Sequence, residues 1–71
     1  MRIFIVDKFE AWGVDQLKAL GEVTLEAGLK GDDLKKRLTE FNPSVIVVRS
    51  AKIPGDVIAA APDLQLIVRA G

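Results

Sequence analysis

The stretch Val45-Ile46-Val47-Val48 decides the fold class of this chain of 71 residues. All four side chains are β-branched, the type that packs well on a pleated strand. A run that is apolar at every position is typical of a strand buried on both faces, as the strands of parallel sheets are. We therefore expect a central parallel strand here. Because parallel strands need long connections that are usually helices, the flanking sequence should alternate helices with strands.

Three further apolar runs predict the other strands of the sheet. Residues 3–6 read Ile-Phe-Ile-Val and favour a second strand buried on both faces. Residues 22–26 alternate, with Val23 and Leu25 on one side, which favours a strand at an edge of the sheet. Residues 64–68 supply the fourth strand.

Apolar side chains at helical spacing predict one helix in each connection. The inward positions are Gly13, Val14, Leu17 and Leu20 in the first helix, Leu34, Leu38 and Phe41 in the second, and Val57, Ile58 and Ala61 in the third. The residues that end the three helices are Gly21, Asn42-Pro43 and Pro62. The first helix spans residues 9–20, the second carries Asp32 and Asp33 in its first turn, and the third begins at Pro54.

This βαβαβαβ order predicts an α/β fold, a flavodoxin-like three-layer fragment with four parallel strands in the order 2-1-3-4 and helices on both faces. Right-handed crossovers place the first helix on one face and the other two on the opposite face. A helix is about 10 Å wide and strands lie about 4.8 Å apart, so one helix covers roughly two strands. Part of strands three and four should therefore stay bare on the face of the first helix.

The small size of the chain favours association. A domain of this size buries only about 60% of the surface that its unfolded chain exposes, and its core rarely supplies more than roughly 3–5 kcal/mol. We expect a homodimer that hides either the apolar edge of strand four or the uncovered face of the sheet, with domain swapping as one form of it. Trp12, beside the inward stripe of the first helix, either joins this interface or lies half exposed against its own helix.

The composition excludes several classes of function. The sequence has no Cys and no His, which removes thiol nucleophiles, imidazole bases and the catalytic triads built from them. Ten basic and ten acidic residues leave no positive excess for binding nucleic acid. The apolar run after Met1-Arg2 is too short for a signal peptide or a membrane span. We therefore expect a cytoplasmic protein without a nucleic-acid or membrane partner.

The polar residues that follow the strands form the candidate site, because ligands of open parallel sheets bind at the carboxyl ends of the strands. These residues are Asp7 after the first strand, Arg49 and Ser50 after the third, and Arg69, Ala70 and Gly71 after the fourth. Two guanidinium groups, a hydroxyl and a backbone amide predict a weak site for a small organic anion. The alternative is that both arginines are solvated surface residues, paired with Asp7 or Asp63.

Four segments resemble the N-terminal substrate-binding lobe of the D-isomer-specific 2-hydroxyacid dehydrogenases, most nearly the D-3-phosphoglycerate dehydrogenases. The segments are residues 2–8, residues 47–51 (Val-Val-Arg-Ser-Ala), residues 57–64 (Val-Ile-Ala-Ala-Ala-Pro-Asp-Leu) and residues 67–71 (Ile-Val-Arg-Ala-Gly). The resemblance implies that Arg49 and Ser50 bind the anion of 3-phosphohydroxypyruvate or 3-phosphoglycerate. It also implies that Arg69 approaches the phosphate or carboxylate, with the backbone at Gly71 beside it. The chain departs from the family pattern at residues 51–54, which read Ala-Lys-Ile-Pro in place of Ala-Thr-Lys-Val-Thr.

The resemblance covers essentially the whole chain and implies a single incomplete substrate-binding lobe over residues 1–71. The family continues into a Rossmann domain that binds NAD and carries the catalytic Arg, Glu and His, and this sequence contains no such domain. We therefore expect a truncated, self-associating lobe of an NAD-dependent oxidoreductase of serine biosynthesis. Alone it should have no activity and bind no cofactor.

Two other classes of function stay open. One is a stand-alone structural or interaction module whose only activity is pairing. The other is a receiver-like signalling domain, which shares this strand order. A receiver needs a phosphorylatable Asp after the third strand, where Arg49 stands, and an acidic pair after the first, where Asp7 stands alone.

Overall fold

The computed structural model describes residues 1–49, 53 and 55–69, and its centre is a four-stranded, all-parallel sheet in the order β2-β1-β3-β4. The strands are β1 (Arg2–Ile5), β2 (Glu22–Leu25), β3 (Val45–Val48) and β4 (Leu66–Arg69). The predicted α/β class, the flavodoxin-like strand order and the parallel direction are confirmed. β4 begins two residues later than expected, because Gln65 and Leu66 both donate their N–H to the Ser44 carbonyl oxygen, at 2.8 and 3.2 Å.

The three connections contain helices α1 (Ala11–Lys18), α2 (Gly31–Phe41) and α3 (Gly55–Ile58). α1 is shorter than predicted, because the N–H groups of Ala19 and Leu20 turn back to carbonyl oxygens only three residues earlier, at 3.2 and 2.9 Å. α3 is a single helical turn. N–H groups that follow it also donate to carbonyl oxygens only three residues earlier. Among the described residues, no helix combines the length and the apolar character that crossing a membrane requires.

α2 ends at Asn42-Pro43, as its sequence predicts, and the structure shows that Asn42 has the left-handed conformation. Asn42 has φ 50°, and its N–H donates to the Leu38 carbonyl oxygen at 2.8 Å. Its amide then donates to the Asp63 carboxylate at 2.8 Å and accepts from the Asp63 N–H at 3.2 Å. This pair of bonds joins the end of α2 to the turn that leads into β4.

The helices lie on the faces that right-handed crossovers require. α2 and α3 cover one face, and α1 covers the other. The larger core, between the sheet and the α2–α3 layer, consists of Phe4, Val6, Leu34, Leu38, Phe41, Ile46, Val48, Val57 and Ala61. The smaller core, under α1, consists of Ile3, Ile5 and Val47, with Phe9, Val14, Leu17, Val23 and Val45 packed against it.

The α1 face of the sheet is left partly bare, as the helix and strand widths predict. All four residues of β4 are exposed, and on the α1 face Leu66 and Val68 keep 54% and 39% of their surface in water. β3 is better covered than expected, because Val47 is only 4% exposed and packs in the core beneath α1. The bare part of this face is therefore mainly β4.

Candidate functional site at the carboxyl edge of the sheet

The register of the strands brings the predicted site residues to one edge. Ile5 of β1 pairs with Val47 of β3, and Val48 pairs with Arg69 of β4. The N–H of Val6 continues the β1–β3 ladder by donating to the Val47 carbonyl oxygen at 3.1 Å. The chain therefore leaves β1, β3 and β4 at the same edge, where Asp7 and Arg49 follow their strands and Arg69 is the last residue of β4.

Asp7 holds the end of β3 in place. Its carboxylate accepts a hydrogen bond of 2.6 Å from the backbone N–H of Arg49. A carboxylate is a strong acceptor, and a bond this short is charge-assisted. Asp7 therefore contacts the main chain of the arginine and fixes the direction in which the chain leaves β3.

Arg69 reaches across the edge toward the same residue. Its Nη1 donates to the carbonyl oxygen of Arg49 at 3.4 Å, a distance near the upper limit for a hydrogen bond. Both arginines are exposed to solvent. The structure therefore brings together Arg49 and Arg69, two of the four residues predicted to bind substrate. The other two, Ser50 and Gly71, lie outside the described residues, as do Ala51, Lys52, Pro54 and Ala70.

Asp63, one of the two acidic partners considered for the arginines, lies at the opposite edge of the sheet. It precedes β4 and bonds to Asn42, whereas Arg69 closes β4. Four residues of strand span about 13 Å, too far for an ion pair. An Asp63 pairing is therefore wrong, and the strand order explains why: residues before and after the same strand lie at opposite ends of it.

A second charged cluster joins α2 to the end of β2. Arg37 on α2 donates from its Nε to Glu26 at 2.6 Å, and its Nη1 lies 3.7 Å from Glu40. The hydrogen bond that Arg37 donates to the Glu26 carboxylate raises the pKa of Arg37, and the charge of Glu40 contributes further in the same direction. Each of these charges has an opposite charge beside it, which indicates a structural contact and not a ligand site.

An apolar groove lies between α1 and β4, on the bare face of the sheet. It encloses a volume of about 400 Å³. Its lining residues are Met1, Ile3, Phe9, Trp12, Gly13, Gln16, Leu17, Leu20, Val45, Val47, Leu66 and Val68. Leu20 belongs to this groove because the chain turns after Lys18. The prediction that Leu20 points into the core is wrong, since 62% of its surface is exposed.

Comparison with known proteins adds no assignment. No protein-family model matches the sequence, and the search of curated proteins finds none that is similar to it.

Proposed function

We propose that this chain is a substrate-binding lobe of the D-isomer-specific 2-hydroxyacid dehydrogenase type, which binds the carboxylate or phosphate of a small 2-hydroxy or 2-oxo acid. The observation that carries the proposal is the meeting of Arg49 and Arg69 at the carboxyl edge, with the guanidinium of one 3.4 Å from the main chain of the other. This is the edge at which open parallel sheets bind ligands.

The hydrogen bonds at the edge favour anion binding. The Asp7 carboxylate accepts a hydrogen bond of 2.6 Å from the backbone N–H of Arg49, which is a contact with the main chain of that residue. The bond from Arg69 to a neutral carbonyl is long, at 3.4 Å. A ligand carboxylate or phosphate offers shorter and stronger bonds of about 2.7–2.9 Å. An anion can therefore draw the Arg69 side chain away from its present acceptor.

The affinity of such a site should be low. Charge-assisted hydrogen bonds contribute about 1.5–3 kcal/mol each, and association costs at least about 4 kcal/mol. Two arginines therefore support only weak binding, with a Kd of roughly 1 mM at best. The similarity of residues 47–51 and 67–71 to D-3-phosphoglycerate dehydrogenases makes 3-phosphoglycerate the first ligand to test, since it carries both a phosphate and a carboxylate.

In this proposal the lobe binds and orients the acid but does not transform it. Oxidation of a 2-hydroxy acid transfers a hydride to a nicotinamide and a proton to a base, and the family uses a histidine there. This sequence contains no histidine. We therefore expect no dehydrogenase activity from the chain alone, with NAD belonging to a separate domain of the complete enzyme.

The test is a titration of the ¹⁵N-labelled chain with 3-phosphoglycerate, followed by NMR. Amide shifts should be confined to residues next to Asp7, Arg49 and Arg69 and should saturate at about 10 mM. Arg49→Gln and Arg69→Gln should each weaken binding about tenfold or more, which corresponds to one charge-assisted bond.

The matched control is Lys18→Gln, which removes the same charge from the end of α1 at the opposite edge of the sheet. Its side chain is 60% exposed and lies 4.0 Å from Asp15, so the substitution should leave both fold and binding unchanged. Shifts that persist equally in the Arg49→Gln and Arg69→Gln variants, or no shifts at all, would contradict the proposal. The second outcome favours a structural or interaction module.

A further inference from the structure

The main chains of the two arginines at the carboxyl edge are supported in different ways. Arg69 is the last residue of β4 and pairs with Val48, so the β3–β4 ladder fixes its main chain. Arg49 lies one residue beyond the end of β3. The registered pairing of β1 with β3 ends earlier still, at Ile5 and Val47. The sheet therefore supports the main chain of Arg49 less than it supports that of Arg69.

The side chain of Asp7 supplies a connection at this point. Its carboxylate accepts the N–H of Arg49 at 2.6 Å, two residues beyond the last registered pair of β1 and β3. The carbonyl oxygen of Arg49 in turn accepts from Nη1 of Arg69 at 3.4 Å. A row of hydrogen bonds thus crosses the ends of β1, β3 and β4, with the main chain of Arg49 at its centre. The bond to Asp7 is the shorter of the two and is charge-assisted, so it is the stronger one.

The charge of Asp7 acts against an anion at this edge. A carboxylate beside the two arginines repels the carboxylate or phosphate of a ligand, because like charges disfavour each other. A carboxylate that did nothing else would weaken the site. One that fixes Arg49 can add more to binding than its charge removes, since binding depends on groups that are already held in place.

We propose that Asp7 is a positioning residue of the anion site, whose carboxylate holds the main chain of Arg49 so that both guanidinium groups reach one ligand. This inference rests on the function proposed above. An arginine whose main chain is fixed before the ligand arrives loses less conformational freedom when the ligand binds. Asp7 acts through Arg49 and contributes to affinity without contacting the anion.

Asp7→Asn and Asp7→Ala form a matched pair of variants. Both remove the same negative charge, so the repulsion of the ligand changes equally in the two. Asparagine retains an amide oxygen that can accept the N–H of Arg49, whereas alanine has no acceptor. We expect Asp7→Ala to bind 3-phosphoglycerate about fivefold or more weakly than Asp7→Asn, the effect of one hydrogen bond. Asp7 is partly exposed, so both variants should fold. Asp7→Leu, close to asparagine in shape and without an acceptor, repeats the comparison.

The same pair of variants in the Arg49→Gln background tests whether Asp7 acts through Arg49. Two residues that act through one another have effects on binding that do not add. The difference in Kd between Asp7→Asn and Asp7→Ala should therefore disappear in Arg49→Gln and remain in Arg69→Gln. A general loss of stability would instead weaken binding by the same factor in both backgrounds.

The measurement is an NMR titration of the ¹⁵N-labelled full chain with 3-phosphoglycerate at constant ionic strength, with circular dichroism to establish that each variant is folded. The amide of Arg49 gives a second signal that needs no ligand. Loss of its short hydrogen bond in Asp7→Ala should move the amide proton upfield and speed its exchange with solvent. Asp15→Ala is the control, because it removes a carboxylate of α1 whose side chain is 75% exposed. It should change neither the Arg49 amide nor the Kd.

The outcomes separate this inference from the proposed function. Equal Kd values for Asp7→Asn and Asp7→Ala would overturn the inference, as would a difference that persists unchanged in the Arg49→Gln background. The proposed function would still hold in either case if Arg49→Gln and Arg69→Gln weaken binding by the otherwise unchanged chain. A wild-type chain that does not bind 3-phosphoglycerate at about 10 mM would overturn both.

Discussion

Replacing Gly21 by alanine should destabilise the fold through one close approach between backbone segments. A Cβ atom added at Gly21 would lie 2.1 Å from the carbonyl oxygen of Met1 and 2.9 Å from its carbonyl carbon. That oxygen also accepts the N–H of Glu22 at 2.9 Å, the first bond between β1 and β2. The added methyl group must push the two segments apart and lengthen this bond.

The expected cost is a large part of the total stability. Overpacking of this kind costs about 1–3 kcal/mol, against about 3–5 kcal/mol for a core of this size. Each kcal/mol lowers the Tm of a domain of 60–100 residues by roughly 4–8 °C. Thermal unfolding followed by circular dichroism should therefore show a fall of about 10 °C in Tm.

Gly55→Ala is the matched control because it introduces the same methyl group at the start of α3. A Cβ atom added at Gly55 would meet no atom of the described residues within 4 Å, apart from its own chain neighbours. The substitution should raise stability by about 0.4–1 kcal/mol, since alanine restricts the unfolded chain. Equal Tm values for Gly21→Ala and the wild type would refute the reasoning about the close approach.

Two further substitutions test the core and the end of α2. Phe4 is 0% exposed, and Phe4→Ala should lower the free energy of unfolding by about 3–5 kcal/mol. This loss is enough to abolish the cooperative thermal transition followed by circular dichroism. A cooperative transition in this variant would contradict the assignment of Phe4 to the centre of the core. Asn42→Ala should cost at least about 1 kcal/mol, because alanine disfavours the left-handed conformation and cannot bond to Asp63. Asn42→Gly loses only the bonds, so urea denaturation should rank it between alanine and the wild type, and the reverse order would contradict this explanation.

The sheet could be predicted because each strand is decided by local chemistry. The β-branched run at residues 45–48 coincides with β3, and a helix in each connection between the apolar runs favours parallel strands. The ends of α1 could not be predicted in the same way. Ala19 and Leu20 continue the helical spacing, yet their N–H groups form tighter turns with Gln16 and Leu17. The spacing of apolar residues does not determine which carbonyl oxygen accepts the hydrogen bond from an N–H group at a helix end.

The position of the candidate site could be predicted from the sequence, but its hydrogen bonds could not. A parallel sheet brings the residues after β1, β3 and β4 to one edge, so the proximity of Arg49 and Arg69 follows from topology. The contact between the Asp7 carboxylate and the main chain of Arg49 depends on the exact register of β1 against β3, which the sequence does not specify. Similarly, the widths of helices and strands predicted that part of the α1 face of the sheet is uncovered. The burial of Val47 depends on where α1 lies across the sheet, which those widths do not specify.

The strand order also determines when the protein can fold during its synthesis. β1 is made first and pairs with β3, although the partners Ile3 and Val45 are 42 positions apart in the sequence. The side chains of Phe4 and Val6 are buried with α2, which is made after β2. A nascent chain that has left the ribosome only as far as β2 therefore leaves these two side chains without cover. Because contacts this distant in sequence slow folding, chaperones that bind apolar segments have their best opportunity in that interval.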